Sequence, residues 1–353
     1  MNCDPTDIPV ILLYNIDPAW PSTDLDEILS LVQRLKTDLA AAGHPVQVAC
    51  LEDEDLERVM AGYDPSTQIV FNWCEEIPGI PRSSSLVAGA LEELGFTFTG
   101  ADSRALRFSQ DKPAVKERLS QKNIATPRWR IYTGTRNLDW DWFPAIVKPA
   151  YEHCSYGITP EAVVYDRREL SKRITHVAQT FSEPALVEDF ITGREFHVTV
   201  VGNGKLQVLP IAEMDFSAIR QSSGRLCTYD SKFDPASCDY QMIQLRLPAS
   251  LADGEREMLE KTALAAYQAT DCRDYARLDI RERDGIYYVL DVNPNSDISP
   301  DTSLALAAEL DGLSWGQLGS LLVHLAALRH PILGRPFQEI PYQMASLRLS
   351  QST

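Results

Sequence analysis

Over residues 1–100 the apolar pattern switches back and forth between two periods, and that alternation constrains the fold more than any other feature of the chain. Residues 9–14 form a short, nearly continuous apolar run of the kind a buried strand shows. After Pro21-Ser22-Thr23, the residues Leu25, Ile28, Leu29, Val32, Leu35 and Leu39 recur with helical spacing until Gly43. Thr23 and Asp26 are spaced to form a capping box at the start of that helix. Residues 46–51 then read as a second strand, 53–60 as an acidic helix, 68–72 as a third strand, 84–94 as another helix and 95–100 as a short strand and turn. Strands that alternate with helices are joined by crossovers, and crossovers make neighbouring strands parallel. The expected fold is therefore α/β and opens with a parallel sheet.

Further along, a helix over 111–122 precedes strands at 129–132, 145–148 and 162–165, a helix, and a strand at 185–190. Next come β-rich stretches at 195–201, 206–212 and 242–247, a long helix at 253–270, strands at 276–281 and 286–292, and helices at 302–310 and 315–328. The expected organisation is an N-terminal α/β domain over 1–106, a small central α+β domain over 107–191, a C-terminal α+β domain over 192–330 and a tail over 331–353. No internal repeat or low-complexity tract interrupts it.

A chain of 353 residues, 44% of them apolar, buries ample core for two or three domains. Its formal charge of -17 repels phosphate backbones and anionic lipid, which argues against nucleic-acid and membrane partners. Local lysines and a divalent cation can still gather a nucleotide. The cysteines Cys3, Cys50, Cys74, Cys154, Cys227, Cys238 and Cys272 are odd in number and never form a C-x-x-C pair, so neither a disulfide framework nor a zinc site is indicated. With no signal-peptide pattern and no long apolar run, the expected location is the cytoplasm.

Three stretches carry chemistry. Arg277-Leu278-Asp279 and Asp291-Val292-Asn293 lie on two successive strands, and period-2 alternation puts Arg277 with Asp279, and Asp291 with Asn293, on one side of each. Two carboxylates and an amide oxygen suit Mg²⁺, although a solvated strand face has the same composition. Ile146-Val147-Lys148-Pro149 ends an apolar strand in a lysine before the loop 150–157, a place where an ammonium holds phosphate oxygens; an ordinary surface lysine reads the same way. The same plain reading applies to Asp111-Lys112 and Lys116. Glu188-Asp189-Phe190-Ile191, followed by Gly193-Arg194-Glu195, offers acceptors for an adenine amine and for ribose hydroxyls, or else is a hairpin with acidic edges.

Taken in order, Thr99-Gly100, Asp111-Lys112 with Lys116, Val147-Lys148-Pro149, the stretches 152–157, 188–195 and 229–232, Arg277 to Asp279 and Asp291 to Asn293 resemble the successive ATP-grasp motifs of D-alanine:D-alanine ligases. The resemblance runs from about residue 68 to 325 and implies a three-domain ATP-grasp architecture with ATP held between the central and C-terminal domains. It implies that Lys116 and Lys148 contact phosphates, that Glu188 and Ile191 meet adenine, that Glu195 meets the ribose, and that Asp189 belongs to the same nucleotide-binding set. Asp279, Asp291 and Asn293 would bind two Mg²⁺ ions, with Mn²⁺ as an alternative occupant. Lys232 and Arg277 would stabilise the charge that moves with the γ-phosphate, and Ser155 would act in the closing loop. The implied reaction activates a carboxylate as an acyl phosphate, which an amine attacks to give an amide, ADP and phosphate. The implied partners are small molecules, a carboxylate and an amino acid or amine, and family members are often homodimers.

The substrate positions depart from the pattern. The family's Gly-Gly-x-Ser-x-Glu loop is replaced by Tyr14-Asn15-Ile16-Asp17-Pro18, and Cys154 stands where the closing-loop serine is expected, next to Ser155. Lys232-Phe233 replaces a lysine-tyrosine pair, and residues 294–303 replace the family's Thr-x-Pro-Gly-x-Thr. Glu75, Glu76 and Asp297 are candidate amine partners, and Thr302 is a candidate donor to the acceptor carboxylate. The expectation is an amide-forming ligase for a substrate other than D-alanine. A cell-wall D-alanine:D-alanine ligase and an ATP-grasp kinase or phosphotransferase are the alternatives.

Overall fold

The computed structural model describes residues 8–152, 155–219, 225–228 and 242–334. The chain forms two compact units, one from the segment up to Thr99 together with the segment from Gly316 onward, the other from Gly100–Trp315.

In the first unit β1 (Val10–Asn15) is buried throughout and forms one of the two inner strands of a four-stranded sheet in the order β2-β1-β3-β4. Its neighbours β2 (Val46–Leu51) and β3 (Ile69–Trp73) run parallel to it, and the short β4 (Thr97–Phe98) runs parallel to β3. Helices α1 (Ser22–Ala41), α2 (Leu56–Met60) and α3 (Ser84–Glu93) make the crossovers. The capping box at Thr23 and Asp26 does not form. The helix begins at Ser22 behind Pro21, so Thr23 lies inside the first turn and its hydroxyl donates to Asp24 Oδ1 at 2.9 Å. The last described helix returns to this unit: a Cβ on Gly316 would stand 2.7 Å from Asp38 O, one on Gly319 would stand 3.0 Å from Leu39 Cδ2, and Ser320 Oγ lies 2.8 Å from His44 Nε2.

The second unit opens with α4 (Ser103–Gln110), an element not expected from the sequence, and residue 106 lies inside it. A break at Asp111 separates it from α5 (Lys112–Gln121), whose start Asp111 caps by accepting from Ala114 N at 3.0 Å. A four-stranded antiparallel sheet follows in the order β5-β8-β6-β7, from β5 (Trp129–Tyr132), β6 (Ala145–Pro149), β7 (Val163–Val164) and β8 (Ala185–Asp189). The strand expected at 162–165 is cut to two residues because Pro160 opens a 3-10 turn through Ala162. Helix α6 (Arg167–Phe181) packs Leu170, Ile174 and Val177 with Val147, Val187 and the fully buried Trp140.

The larger sheet contains β9 (Glu195–Val201), β10 (Gln207–Val208), β11 (Ala212–Asp215), β12 (Gln244–Arg246), β13 (Tyr275–Arg283) and β14 (Ile286–Pro294). Their order is β12-β11-β9-β13-β14, with β10 on β9. The single strand expected at 206–212 is divided where Pro210 cannot donate to a ladder. Helix α7 (Asp253–Ala269) buries Leu259, Ala263, Ala266 and Tyr267 against Val198, Val200, Leu278 and Ile280. Helix α8 (Ser303–Leu310) follows β14. No helix among the described residues is long and apolar enough to cross a membrane.

Candidate active site

The hairpin β13–β14 turns at Asp284 and Gly285, both at positive φ, as a two-residue hairpin requires. Its register sets Arg277 opposite Asn293 and Asp279 opposite Asp291. Residues directly opposite on an antiparallel pair project to the same face, so the four polar side chains expected to converge do so. Arg277 donates to Asp279 Oδ1 through Nε at 2.7 Å and to Oδ2 through Nη2 at 3.1 Å. Asn293 Nδ2 also donates to Asp279 Oδ2, at 3.1 Å, which leaves its Oδ1 as the atom able to bind a cation. The donor set of Asp279, Asp291 and Asn293 is oxygen only and fits Mg²⁺.

Facing this hairpin is a group of buried charges. Lys148, near the end of β6, places Nζ 3.3 Å from Glu188 Oε1 and 3.5 Å from Asp291 Oδ2. Lys116 on α5 places its Nζ 2.9 Å from the same Glu188 oxygen and donates to Thr126 Oγ1 at 3.1 Å. Lys112, at the start of α5, is buried beside them and donates to the carbonyl of Glu152. Burial pushes the Lys112 and Lys116 ammoniums below the ordinary lysine value. For Lys148 burial acts the same way but is outweighed by Asp291 and Glu188, which raise it. Burial alone would raise the Asp291 carboxyl, yet Lys148, Lys112 and Lys116 together hold it below the usual carboxylate range. Three ammoniums against Glu188 and Asp291 leave a buried excess of positive charge, and a polyphosphate is the kind of anion that neutralises it.

Comparison with known proteins places these residues in a family. A family model described as "D-ala D-ala ligase C-terminus" matches residues 132–324. The chain belongs to the D-Ala-D-Ala ligase family. It is accordingly an ADP-forming ATP-grasp carboxylate-amine ligase. Among its relatives, an "Uncharacterized protein" of Sinorhizobium fredii is 30% identical over 320 residues, covering 88% of this chain and 90% of the relative. The "D-alanine--D-alanine ligase" of Bacillus anthracis is 29% identical over 242 residues, covering 67% of this chain and 73% of the relative. The crystal structure of a Bacillus anthracis D-alanine--D-alanine ligase complexed with ATP superposes with a TM-score of 0.70 at 22% identity, over 90% of this chain and 97% of that one. The D-alanine-D-alanine ligase structure from Coxiella burnetii gives 0.68 at 16% identity, over 94% and 97%. The three-domain ATP-grasp fold class expected from the sequence is thus borne out.

Several groups of the ligase are engaged in ways that the sequence reading did not foresee. Arg281, buried on β13 and opposite Glu195 on β9, donates through Nε to Glu195 Oε2 at 2.6 Å, through Nη1 to Ile191 O at 2.7 Å, and through Nη2 to Arg225 O. The Phe190 and Phe216 rings lie 5.1 and 5.4 Å from its guanidinium carbon. Two groups expected to face the nucleotide, Glu195 and Ile191, are therefore tied together by one arginine. Asp189 forms a two-point ion pair with Arg283, at 2.6 and 3.1 Å. Lys112 and Arg281 were both absent from the sequence-derived set. Lys112 had a signal, since Asp111-Lys112-Pro113 is a helix start, whereas Arg281 became legible only through strand register.

The candidate substrate residues are described within their own units. Asp297 is exposed, and its carboxylate accepts from Ser299 N at 2.8 Å and from Ser299 Oγ at 2.7 Å. Thr302 caps α8, accepting from Ala305 N at 3.3 Å and donating to Ser299 O at 2.8 Å. Both are occupied by local hydrogen bonds. In the first unit, Glu75 is exposed with its N–H donating to Asn15 Oδ1 at 2.9 Å, and Glu76 is half-buried. Ser155 sits at φ 60, with its carbonyl accepting from Ile158 N at 2.9 Å. Cys154 and Lys232 lie outside the described residues.

Proposed function

We propose that this ligase joins a carboxylate to an amino acid or amine other than D-alanine, by way of an acyl phosphate. The observation that carries the ATP half of the reading is the buried excess of lysine charge at Lys112, Lys116 and Lys148, next to the oxygen donors Asp279, Asp291 and Asn293. On this reading Lys112, Lys116 and Lys148 hold the phosphates, Glu188 accepts from the adenine amine, and the three oxygen ligands hold Mg²⁺. The cation, when bound, supplies charge neutralisation for the phosphates. Arg277, oriented by its two bonds to Asp279, faces the charge that develops as the phosphoryl group moves. Lys232 serves the same step. The substrate carboxylate attacks the γ-phosphorus, ADP leaves, and the amine then displaces phosphate from the acyl carbon. Ser155 and the loop around it exclude water from the labile intermediate.

The altered substrate positions support a changed specificity. Asn15 stands at the end of β1, where its Oδ1 is committed to Glu75 N, and Asp297 and Thr302 are spent on local turns. Pockets that lose or gain buried polar partners shift selectivity by orders of magnitude. The names of the 29%-identical relatives favour the second reading, D-alanine as the substrate. Mg-dependent ADP release with D-alanine alone, followed by a panel of amino acids paired with carboxylates and product masses read in parallel, separates the two. D-alanyl-D-alanine as the main product would overturn the proposal.

A further inference from the structure

One cluster on the larger sheet has no part in the proposed chemistry beyond a shared carboxylate. Glu195, His197 and Cys227 bring a carboxylate oxygen, an imidazole nitrogen and a thiol sulfur within 4.8 Å of one another. His197 lies opposite Asp279 on the neighbouring strand, so its ring faces the same side as the carboxylates. Its Nδ1 is 3.0 Å from Ser303 Oγ, and its Nε2 lies 3.9 Å from Glu195 Oε1 and 3.8 Å from Asp279 Oδ1. An imidazole held at one nitrogen and presented at the other is how proteins aim a histidine at a metal. Glu195 Oε2 is taken by Arg281, so Oε1 is the oxygen that remains. The same arginine bonds to Arg225 O, which anchors the short segment carrying Cys227.

Sulfur and nitrogen donors do not select Mg²⁺; they select zinc and its neighbours. Ligands of a tetrahedral zinc, at about 2.0–2.3 Å from the ion, stand roughly 3.3–3.8 Å from one another, so the three donors need to close by only about 1 Å. We propose that Glu195, His197 and Cys227 form a three-ligand binding site for a zinc-like divalent cation, with water as the fourth ligand. Coordination deprotonates the Cys227 thiol, and the proton leaves to solvent. Occupancy would inhibit turnover, because Glu195 also serves the nucleotide; that consequence rests on the proposed ligase reading, whereas binding itself does not.

The test uses the full-length protein without nucleotide. Titration with Co²⁺ is expected to give a sulfur-to-cobalt charge-transfer band that saturates at one equivalent, and Zn²⁺ is expected to displace it. C227S and H197Q should abolish the band while C272S keeps it, and S303A, which removes the hydroxyl that holds the imidazole, should weaken binding about tenfold. Should C227S or H197Q fail to fold, X-ray absorption of the zinc-loaded wild type decides, with a shell containing sulfur and imidazole expected. A shell of oxygen alone, or a band unchanged in folded C227S, overturns the proposal.

Discussion

Replacing Lys112 with methionine should move stability and nucleotide affinity in opposite directions. The Lys112 ammonium is buried, donates to the Glu152 carbonyl and has the like charges of Lys116 and Lys148 beside it. Burial lowers its pKa in the folded protein, so by linkage its charge opposes folding at neutral pH, and the opposition fades only as pH rises through the folded value. A methionine side chain at this position would keep most of the length and remove the charge. Lys112 is one of three ammoniums facing Glu188 and Asp291, so its removal leaves those two carboxylates with two cations and no charge without a partner, and urea unfolding of K112M without nucleotide should show a midpoint no lower than wild type. A charge-assisted bond to phosphate contributes about 1.5–3 kcal/mol, which is roughly a tenfold to hundredfold loss of ATP affinity by calorimetry. Adenosine, which lacks the phosphates, should bind both proteins equally. Destabilisation by more than about 2 kcal/mol would show that Lys112 is a structural cation. ATP affinity within twofold of wild type would remove it from the phosphate site.

Four further expectations follow. R281M leaves Glu195 buried without its strong partner and should cost about 3–5 kcal/mol in urea unfolding, whereas a loss under about 1 kcal/mol would mean that the pair is readily replaced. In G193A the new methyl collides with the backbone carbonyl of Glu282; overpacking of this kind costs about 1–3 kcal/mol, and an unchanged melting temperature would refute the close approach. In metal-free protein, the stability that Asp291 adds over D291N should hold from neutral pH down to about pH 4 and then fall as pH drops through its depressed folded value; an advantage that vanished near pH 6 would contradict the lysine cage. K232A should lose most of kcat while partly keeping nucleotide binding, and near-normal turnover would remove Lys232 from the transfer step.

How much of this was legible in the sequence depended on whether the signal was local. Period and punctuation located the parallel sheet, the hairpin 275–294 and the lysine strand, because each is a property of adjacent residues. The Thr23 cap failed because a one-residue shift in a helix start changes which hydroxyl can reach the first turn. Helix α4 escaped because it is only eight residues long and largely polar, so its one buried face, Ala105, Leu106 and Ser109, is too short a run to stand out. Lys112 read as a surface lysine, since nothing in its neighbours announces that Glu188 and Asp291, far away in sequence, surround it. The Arg281–Glu195 pair depends on the register of β9 against β13, a long-range quantity that no single-strand pattern contains.

The return of the last described helix to the first unit has a consequence for biosynthesis. Gly100–Trp315 is one unbroken stretch, so this unit can complete its contacts while the chain is still being made. The β1–β4 sheet, although synthesised first, lacks the helix that packs on Leu35, Leu39 and Asp38 until Gly316 and Gly319 have emerged. An early stop just before residue 316 would thus damage the β1–β4 sheet rather than the unit that directly precedes the stop. Of the two units, the one begun earlier is completed later.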